Sequence, residues 1–285
     1  MTASAAASPN TAQIEHWNGA AGDTWVRLQD RLDAQLAPLG RLGMERAAIR
    51  EGWRINDIGC GTGQTSLDLA RRVGPGGSVL AVDISRPMLA LAERRRSEAG
   101  LANLRFEEGD AQFHPFAPGA ADLVFSRFGV MFFADPVAAF GNLRAGLRRG
   151  GRLVLVTWRK PQDNPWVSVP MAAAFQHIPR PVPPEPGAPG EFAFADRDRV
   201  ETILRGAGFR EIVIEAADTM VGGSSLDLTV DTSLNMGPVA AALREAPAGK
   251  REMVAEAVRE ALAPFDGPEG VRLGAGVWLV LAMAP

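Results

Sequence analysis

Short apolar runs alternate with helical patterns through the first 160 residues of the chain. The apolar runs end at glycine or polar residues, and the segments between them carry apolar side chains at helix-like spacing. The predicted strands begin at Ile55 and continue over residues 78–82, 104–107, 121–126 and 152–158. Such an alternation predicts an α/β fold, with a parallel sheet covered by helices on both faces.

The segments outside this alternation are predicted to form a lid and two insertions. Apolar spacing before the first strand is that of helices, which Pro38 and Gly40 are expected to interrupt; they either pack on the sheet or cover a ligand. Prolines, including Pro183 and Pro186, break regular structure in the first insertion, which is either a passive loop or a substrate cover. The predicted division is a disordered lead-in at 1–13, a helical lid at 14–50, and one domain at 51–285 with insertions at about 160–195 and 224–270.

Composition narrows the class of protein. The formal net charge of −3 argues against a general nucleic-acid binder, which is usually basic. A single cysteine, Cys60, precludes an intrachain disulfide, and no Cys/His cluster predicts a metal site. The N-terminus lacks the pattern of a signal peptide, and the apolar run at 277–283 suits a buried strand better than a membrane span. We therefore expect a cytoplasmic enzyme, monomeric or homodimeric.

The stretch from Ile55 to Ser66 carries the chemistry. It begins as a strand, turns at the alternate glycines Gly59, Gly61 and Gly63, and continues as an amphipathic helix. Glycines allow backbone to approach a ligand, and a helix N-terminus offers free N–H groups. This arrangement predicts a site for a nucleotide-like ligand.

The identity of that ligand depends on two neighbouring positions. A dinucleotide fingerprint, Gly-x-Gly-x-x-Gly, would need glycine where the chain has Gln64. Asp57, two residues before the first glycine, would repel a pyrophosphate and suit a cationic ligand such as a sulfonium. Asp83, Asp110 and Ser126 follow the ends of later strands and are expected to meet Asp57 at one sheet edge.

The segment Asp57-Ile58-Gly59-Cys60-Gly61-Thr62-Gly63 resembles the first motif of class I S-adenosylmethionine (SAM)-dependent methyltransferases of the ubiquinone/menaquinone type. The resemblance implies a Rossmann-like, doubly wound seven-stranded sheet, parallel except for one antiparallel C-terminal strand. It implies that Asp83 accepts both ribose hydroxyls, that Asp110 takes the adenine amino group, and that Trp25 touches SAM. The cofactor residues it implies are Trp17, Trp25, Asp57, Gly59, Cys60, Gly61, Gly63, Asp83, Ile84, Met88, Asp110, Ala111 and Ser126.

Candidates for the acceptor side are less specific. The pocket is predicted to contain Arg127, Phe128, Met131, Phe132, Trp158, Trp166 and Phe175, with Met171 as a further wall. A general base would be wanted for a hydroxyl or acidic carbon acceptor, and His114 and His177 are weak candidates, since a surface or structural role is the more usual one for such histidines. Arg127 is either a structural residue or a contact for a substrate anion.

The predicted reaction is an SN2 transfer of the sulfonium methyl group of SAM to N, O or C of a small, partly apolar acceptor. The product of the cofactor would be S-adenosylhomocysteine, and Cys60 would have a packing role because no enzyme nucleophile is needed. The alternatives are a nicotinamide-dependent oxidoreductase, another transfer from SAM such as aminopropyl transfer, and a non-catalytic SAM-binding protein.

Overall fold

A computed structural model describes residues 9–182, 184–185, 187–247 and 249–285 of the chain. Its strands are β1 Arg54–Ile58, β2 Ser78–Asp83, β3 Leu104–Glu108, β4 Ala121–Arg127, β5 Leu147–Trp158, β6 Arg210–Ser224, β7 Asp266–Gly267 and β8 Gly270–Met283. Its α-helices are α1 Thr11–Asn18, α2 Ala20–Arg27, α3 Gln29–Ala47, α4 Gln64–Val73, α5 Arg86–Glu98, α6 Pro136–Gly146, α7 Pro165–Ala174, α8 Arg197–Gly206, α9 Leu226–Asn235, α10 Gly237–Glu245 and α11 Lys250–Leu262. None of the helices in the described ranges is long and apolar enough to cross a membrane.

The central sheet has the order β3-β2-β1-β4-β5-β8-β6, with the two-residue β7 paired to β8. The strands β1 to β5 pair in parallel, and β8 runs antiparallel to both β5 and β6. The predicted Rossmann-like sheet is therefore confirmed. Because β2 and β4 flank β1 on opposite sides, the chain reverses its winding direction there, and a crevice opens at the carboxyl ends of β1 and β4.

The two C-terminal strands are longer than the apolar pattern predicts. The apolar run at 277–283 becomes the fourteen-residue β8, and its partner β6 has fifteen residues. Glycines such as Gly222 and Gly274 interrupt the apolar pattern in the added halves, yet the two strands pair with each other as far as Ser224 and Val271. Backbone hydrogen bonding in a two-stranded ribbon does not require apolar side chains, which is why the pattern missed this extension.

The N-terminal segment corrects two expectations. A helix begins at Thr11 and Asn10 is only 4% exposed, so residues 9–13 are not a disordered lead-in; residues 1–8 lie outside the described ranges. Helix α3 also continues through Pro38 and Gly40 instead of breaking there. Tertiary packing holds this helix together, since Leu36 and Leu39 on it are buried in the main core.

A second, smaller core lies apart from the sheet core. It joins α7, α9, α10 and α11 to the outer half of β8, through buried residues that include Val230, Val254 and Leu273. These helices lie within the segments 160–195 and 224–270 that the sequence marks as insertions. The prolines Pro183 and Pro186 of the first insertion lie outside the described residues.

Candidate functional site

One cavity opens at the carboxyl ends of β1, β2 and β4, beneath the N-terminal helices. Its lining combines the glycine turn after β1, the residues that follow β2 and β3, and aromatic side chains from β4, β5 and the insertions. The predicted cofactor residues that line it are Trp17, Trp25, Gly59, Cys60, Gly61, Asp83, Ile84, Met88, Asp110 and Ala111. The predicted acceptor residues that line it are Arg127, Phe128, Met131, Phe132, Trp158, Trp166 and Met171. Sequence positions more than 200 residues apart thus share one pocket.

The glycine turn needs its first glycine for close packing. Gly59 has a φ of +66°, and a Cβ at that position would lie 2.5 Å from the Cα of Gly129 in the turn after β4. The N–H of Gly59 also donates to the carbonyl of Val82 at 2.8 Å. Glycine therefore lets the turns after β1 and β4 touch, which forms the floor of the cavity.

Asp83 ends β2 and is held in place by the backbone. Its Oδ2 accepts a hydrogen bond from the N–H of Gly61 at 2.7 Å, and its Oδ1 accepts one from the N–H of Ser85 at 2.9 Å. Burial raises the pKa of this carboxyl, while the N–H donors act in the opposite direction. A carboxylate has about four acceptor positions, so two remain for hydroxyl donors of a ligand.

Asp110, after β3, has a partner that the sequence did not reveal. The Nδ2 of Asn10 donates to its Oδ2 at 2.7 Å, and the N–H of Gln112 donates to its Oδ1 at 2.9 Å. The Oδ1 of Asn10 in turn accepts from the N–H of Ala134 at 2.8 Å. Asn10 and Gln13, both assigned to the lead-in, therefore line the cavity.

Asp57 does not line the cavity, contrary to the expectation that it faces a cationic ligand head. It lies under the glycine turn with 1% exposure, and its Oδ2 accepts from the hydroxyls of Thr65 at 2.7 Å and Ser66 at 2.6 Å. Burial raises the pKa of its carboxyl to about 6, against the lowering effect of those two hydroxyls. Asp57 thus ties β1 to the first turn of α4.

Two further predicted cofactor residues also lie outside the cavity lining. Gly63 packs against the β3 side chain Phe106 and against Ala92, since a Cβ on it would approach them at 2.8 and 3.0 Å. Ser126 is fully buried, and its hydroxyl donates to the carbonyl of Ile58 at 2.7 Å. Both positions support the glycine turn from below.

The N-terminal helices cover the cavity. The ring of Trp17 meets Trp25 edge-on at a centroid distance of 5.9 Å and Phe132 at 5.2 Å. The carbonyl of Trp17 accepts from the hydroxyl of Ser85 at 2.7 Å, and Asn18 donates to the carbonyl of Ile84 at 2.8 Å. These bonds fix α1 against the loop that follows Asp83.

The other half of the cavity is aromatic. Phe128 stacks on Trp158 with ring centroids 4.0 Å apart and an interplanar angle of 9°, and Trp158 contacts Trp166 at 4.8 Å. Phe175 was predicted to line the pocket but does not. It packs on the smaller core, and the guanidinium of Arg180 lies 5.8 Å from its ring. It follows the last residue of α7, beyond the part of that helix that reaches the cavity.

Neither predicted histidine base lines the cavity. The Nε2 of His114 lies 3.1 Å from a carboxylate oxygen of Glu107, and its ring contacts Phe116. His177 follows α7 and lies away from the cavity lining. No histidine of the described residues is therefore placed to take a proton inside the pocket.

Arg127 does line the cavity. It donates to the carbonyl of Leu36 at 3.3 Å and to the Oε1 of Gln64, and none of the described carboxylates forms an ion pair with it. Burial lowers the pKa of its guanidinium, while the more distant Asp33 and Asp57 raise it. It remains a cation at neutral pH and gives one wall of the cavity a positive charge.

Glu191 is the acidic residue that sequence reasoning missed. It lies between α7 and α8 and lines the cavity. Burial raises the pKa of its carboxyl. The local sequence offers one sign of this: Glu191 lies in an otherwise apolar run from Gly190 to Phe194, and such a run is expected to pack against the protein interior.

The residues present fit SAM and exclude covalent catalysis by cysteine. Two carboxylates, the buried Asp83 and the partly buried Asp110, lie at or after the ends of neighbouring strands. They can accept from hydroxyl and amino groups, whereas a phosphate at either would be repelled. Burial raises the pKa of the Cys60 thiol well above its ordinary value, so it is a neutral packing group at pH 7.

Comparisons with known proteins identify the domain. Residues 55–151 match the family model of a methyltransferase domain. A demethylmenaquinone methyltransferase of Thermus thermophilus is 44% identical over 121 residues, which are 42% of this chain and 54% of that protein. The ubiquinone/menaquinone biosynthesis C-methyltransferase UbiE of Cellvibrio japonicus is 34% identical over 125 residues, which are 44% of this chain and 50% of that protein. The chain spans about half the length of these curated relatives.

Solved structures agree on the fold. Phosphoethanolamine N-methyltransferase 2 of Haemonchus contortus has a TM-score of 0.61 at 16% identity, covering 98% of this chain and 61% of that one. The YcgJ protein of Bacillus subtilis has a TM-score of 0.56 at 18% identity, covering 87% and 98%. Residues 55–151 of the chain therefore carry a methyltransferase domain, which is similar to the corresponding domains of these curated methyltransferases.

Proposed function

We propose that the chain transfers the methyl group of SAM to a small, partly apolar acceptor. The observation that carries the proposal is a cavity with two chemically different halves at the carboxyl ends of β1, β2 and β4. One half presents the carboxylates Asp83 and Asp110, and the other presents the stacked rings of Phe128 and Trp158. A polar nucleoside and an apolar acceptor would each meet a matching surface.

The cofactor half would hold SAM through groups already positioned by the backbone. Asp83 would accept the ribose hydroxyls with its two remaining acceptor positions, and Asp110 would accept the adenine amino group. Because Asn10 donates to Asp110 in this structure, adenine would share or replace that hydrogen bond. Trp17 and Trp25 would cover the cofactor from above.

When bound, SAM supplies an electrophilic methyl group on a cationic sulfur. The chain contributes alignment of the acceptor with that methyl group, which converts a bimolecular step into a step within one complex. The aromatic wall and the N-terminal helices exclude water, so the nucleophile would react without its hydration shell. The neutral thioether leaving group needs no acid, which agrees with a cavity that holds no histidine among its described residues.

The similarity to the named relatives supports the proposed cofactor site more than the proposed acceptor site. The matched domain ends at residue 151, whereas Trp158, Trp166 and Glu191 all follow it. The quinone-related acceptors in the relatives' names are therefore not carried over to this chain. The expected cytoplasmic location and the expected monomer or homodimer stay predictions from the sequence.

Two measurements test the proposal together. Titration calorimetry should give heat with SAM and with S-adenosylhomocysteine, and none with NADH. Incubation with methyl-labelled SAM and a panel of apolar hydroxyl, amine and carbon acceptors should yield a product that is heavier by one methyl group. Binding of NADH in place of SAM would contradict the proposal, and SAM binding without transfer to any acceptor would leave a cofactor-binding protein without catalysis.

A further inference from the structure

Glu191 is anchored beside the turn that follows β4. The N–H of the preceding residue, Gly190, donates to the carbonyl of Met131 at 3.1 Å. Met131 lines the cavity together with Phe128 and Trp158. The backbone beside Glu191 is thereby attached to this turn, and Glu191 lines the same cavity.

This carboxylate has no partner among the described residues. Two other shielded carboxylates have partners: Asp83 accepts from two backbone N–H groups, and Asp33 pairs with Arg95 at 2.5 Å, whereas Oδ1 of the buried Asp57 has none among the described residues. No hydrogen bond or ion pair within the described ranges reaches the side chain of Glu191, and desolvation alone raises the pKa of its carboxyl. A shielded polar group without a partner is costly, and such groups commonly serve a ligand.

The nearest structural role for Glu191 is weak. A Cβ built on Gly237 would lie 3.9 Å from its Oε1, so the carboxylate faces the start of α10. The positive end of a helix stabilises a nearby anion by about 0.3–1 kcal/mol at an ordinary site. Glu191 is partly buried, so this contribution does not replace all the hydrogen bonds that its carboxylate would make in water.

We propose that Glu191 accepts the proton of the acceptor's nucleophile, and that the acceptor is therefore a hydroxyl or amine carried by an apolar, ring-containing molecule. The inference rests on the proposed methyl transfer. The stack of Phe128 and Trp158 would hold the ring, and Glu191 would supply the acceptor for its O–H or N–H group.

The step balances without any further reagent. A lone pair of the nucleophile forms the new bond to the methyl carbon as the bond from sulfur to that carbon breaks, and the bonding pair stays on sulfur as a neutral thioether. The proton of the nucleophile moves to the carboxylate of Glu191 and then to water. A carboxyl whose pKa is raised by burial is a stronger base than an exposed glutamate.

The first test is binding of biphenyl-4-ol and of 4-methoxybiphenyl to the protein saturated with S-adenosylhomocysteine. Only biphenyl-4-ol carries an O–H group, from which Glu191 would accept a hydrogen bond. Wild type should bind biphenyl-4-ol at least about tenfold more tightly, the scale of a hydrogen bond to a charged group. Glu191→Ala should abolish this preference, and Glu185→Gln, an exposed glutamate of the same insertion, should keep it.

The second test separates the base from a mere hydrogen-bond acceptor. Glu191→Gln keeps an amide oxygen that can accept from the O–H but cannot take its proton. It should retain part of the binding preference while transfer of labelled methyl to biphenyl-4-ol falls by about 10²-fold or more. Because this variant is nearly isosteric, it also decides the matter if Glu191→Ala fails to fold.

Several results would overturn the inference. These are equal binding of the two probes to wild type, binding of neither, a preference that survives in Glu191→Ala, and wild-type rates in Glu191→Gln. A purely structural role would lower the melting temperature of both variants without changing the preference. Failure of the proposed function is distinguishable, because it would appear as absent binding of S-adenosylhomocysteine in wild type.

Discussion

Replacing Asp83 with alanine should weaken SAM binding more than any other single change in the cofactor half. The carboxylate lies in the cavity with each oxygen already fixed by one backbone N–H, from Gly61 and from Ser85. Hydrogen bonds from the ribose hydroxyls to this charged group would be lost. At about 1.5–3 kcal/mol for such bonds, the dissociation constant should rise roughly 10- to 150-fold.

A matched control exists at the opposite end of the sheet. Asp122, near the start of β4, also accepts from a backbone N–H, that of Arg54 at 2.8 Å, and it pairs with Arg148 at 2.7 Å. Asp122→Ala removes a similar carboxylate from a similar setting but lies outside the cavity lining. It should leave the affinity for SAM within about twofold of wild type.

The assay is calorimetric titration of each variant with S-adenosylhomocysteine, alongside thermal unfolding. Both variants lose acceptors for backbone N–H groups and should be somewhat less stable, so stability alone does not separate them. An unchanged dissociation constant in Asp83→Ala, or an equal loss in Asp122→Ala, would refute the ribose assignment.

Three further predictions concern Asp57, Cys60 and Asn10. Burial raises the pKa of Asp57 from 3.8 to about 6, so its protonation favours the folded state: that stability is fully present below about pH 4 and is lost as pH rises through about 6. Urea unfolding should therefore show that the free energy of unfolding of Asp57→Asn rises relative to that of wild type between pH 4 and pH 7. The gain should be roughly 3 kcal/mol, which corresponds to about two pKa units. A difference between the two proteins that does not change with pH would contradict this. Cys60 should resist iodoacetamide at pH 8 until the protein unfolds, since its thiol is buried and its pKa raised, and rapid labelling of the native protein would refute that assignment. Asn10→Ala should speed amide exchange in α1, because Asn10 bridges Asp110 and Ala134, and unchanged exchange would show that α1 is held by other contacts.

Local pattern was sufficient for the sheet and for the glycine turn. Residues such as Val124 and Phe125 are apolar because β4 is covered on both faces, and a continuous apolar run of this kind predicts a buried strand. Likewise Asp83 ends the apolar strand β2, and Asp110 follows β3 after Gly109. The fold was therefore predictable from these patterns, whereas the family was suggested by the resemblance of residues 57–63 to a known motif.

Long-range contacts were not predictable in this way. Asn10 gains its role from a hydrogen bond to a residue 100 positions away, and nothing in its own neighbourhood marks it. Glu191 becomes notable only because the chain folds an apolar run against β4, leaving the carboxylate without a partner. Asp57 was expected at the ligand because it precedes the glycines, but alternation along β1 directs it to Thr65 and Ser66 instead.

A crystal structure with S-adenosylhomocysteine tests the central claim most directly. The account predicts ribose hydroxyls at Asp83, the adenine amino group at Asp110, and the thioether sulfur facing the side of the cavity formed by Phe128 and Trp158. A ligand bound outside this cavity, or a sulfur turned away from the aromatic half, would contradict it.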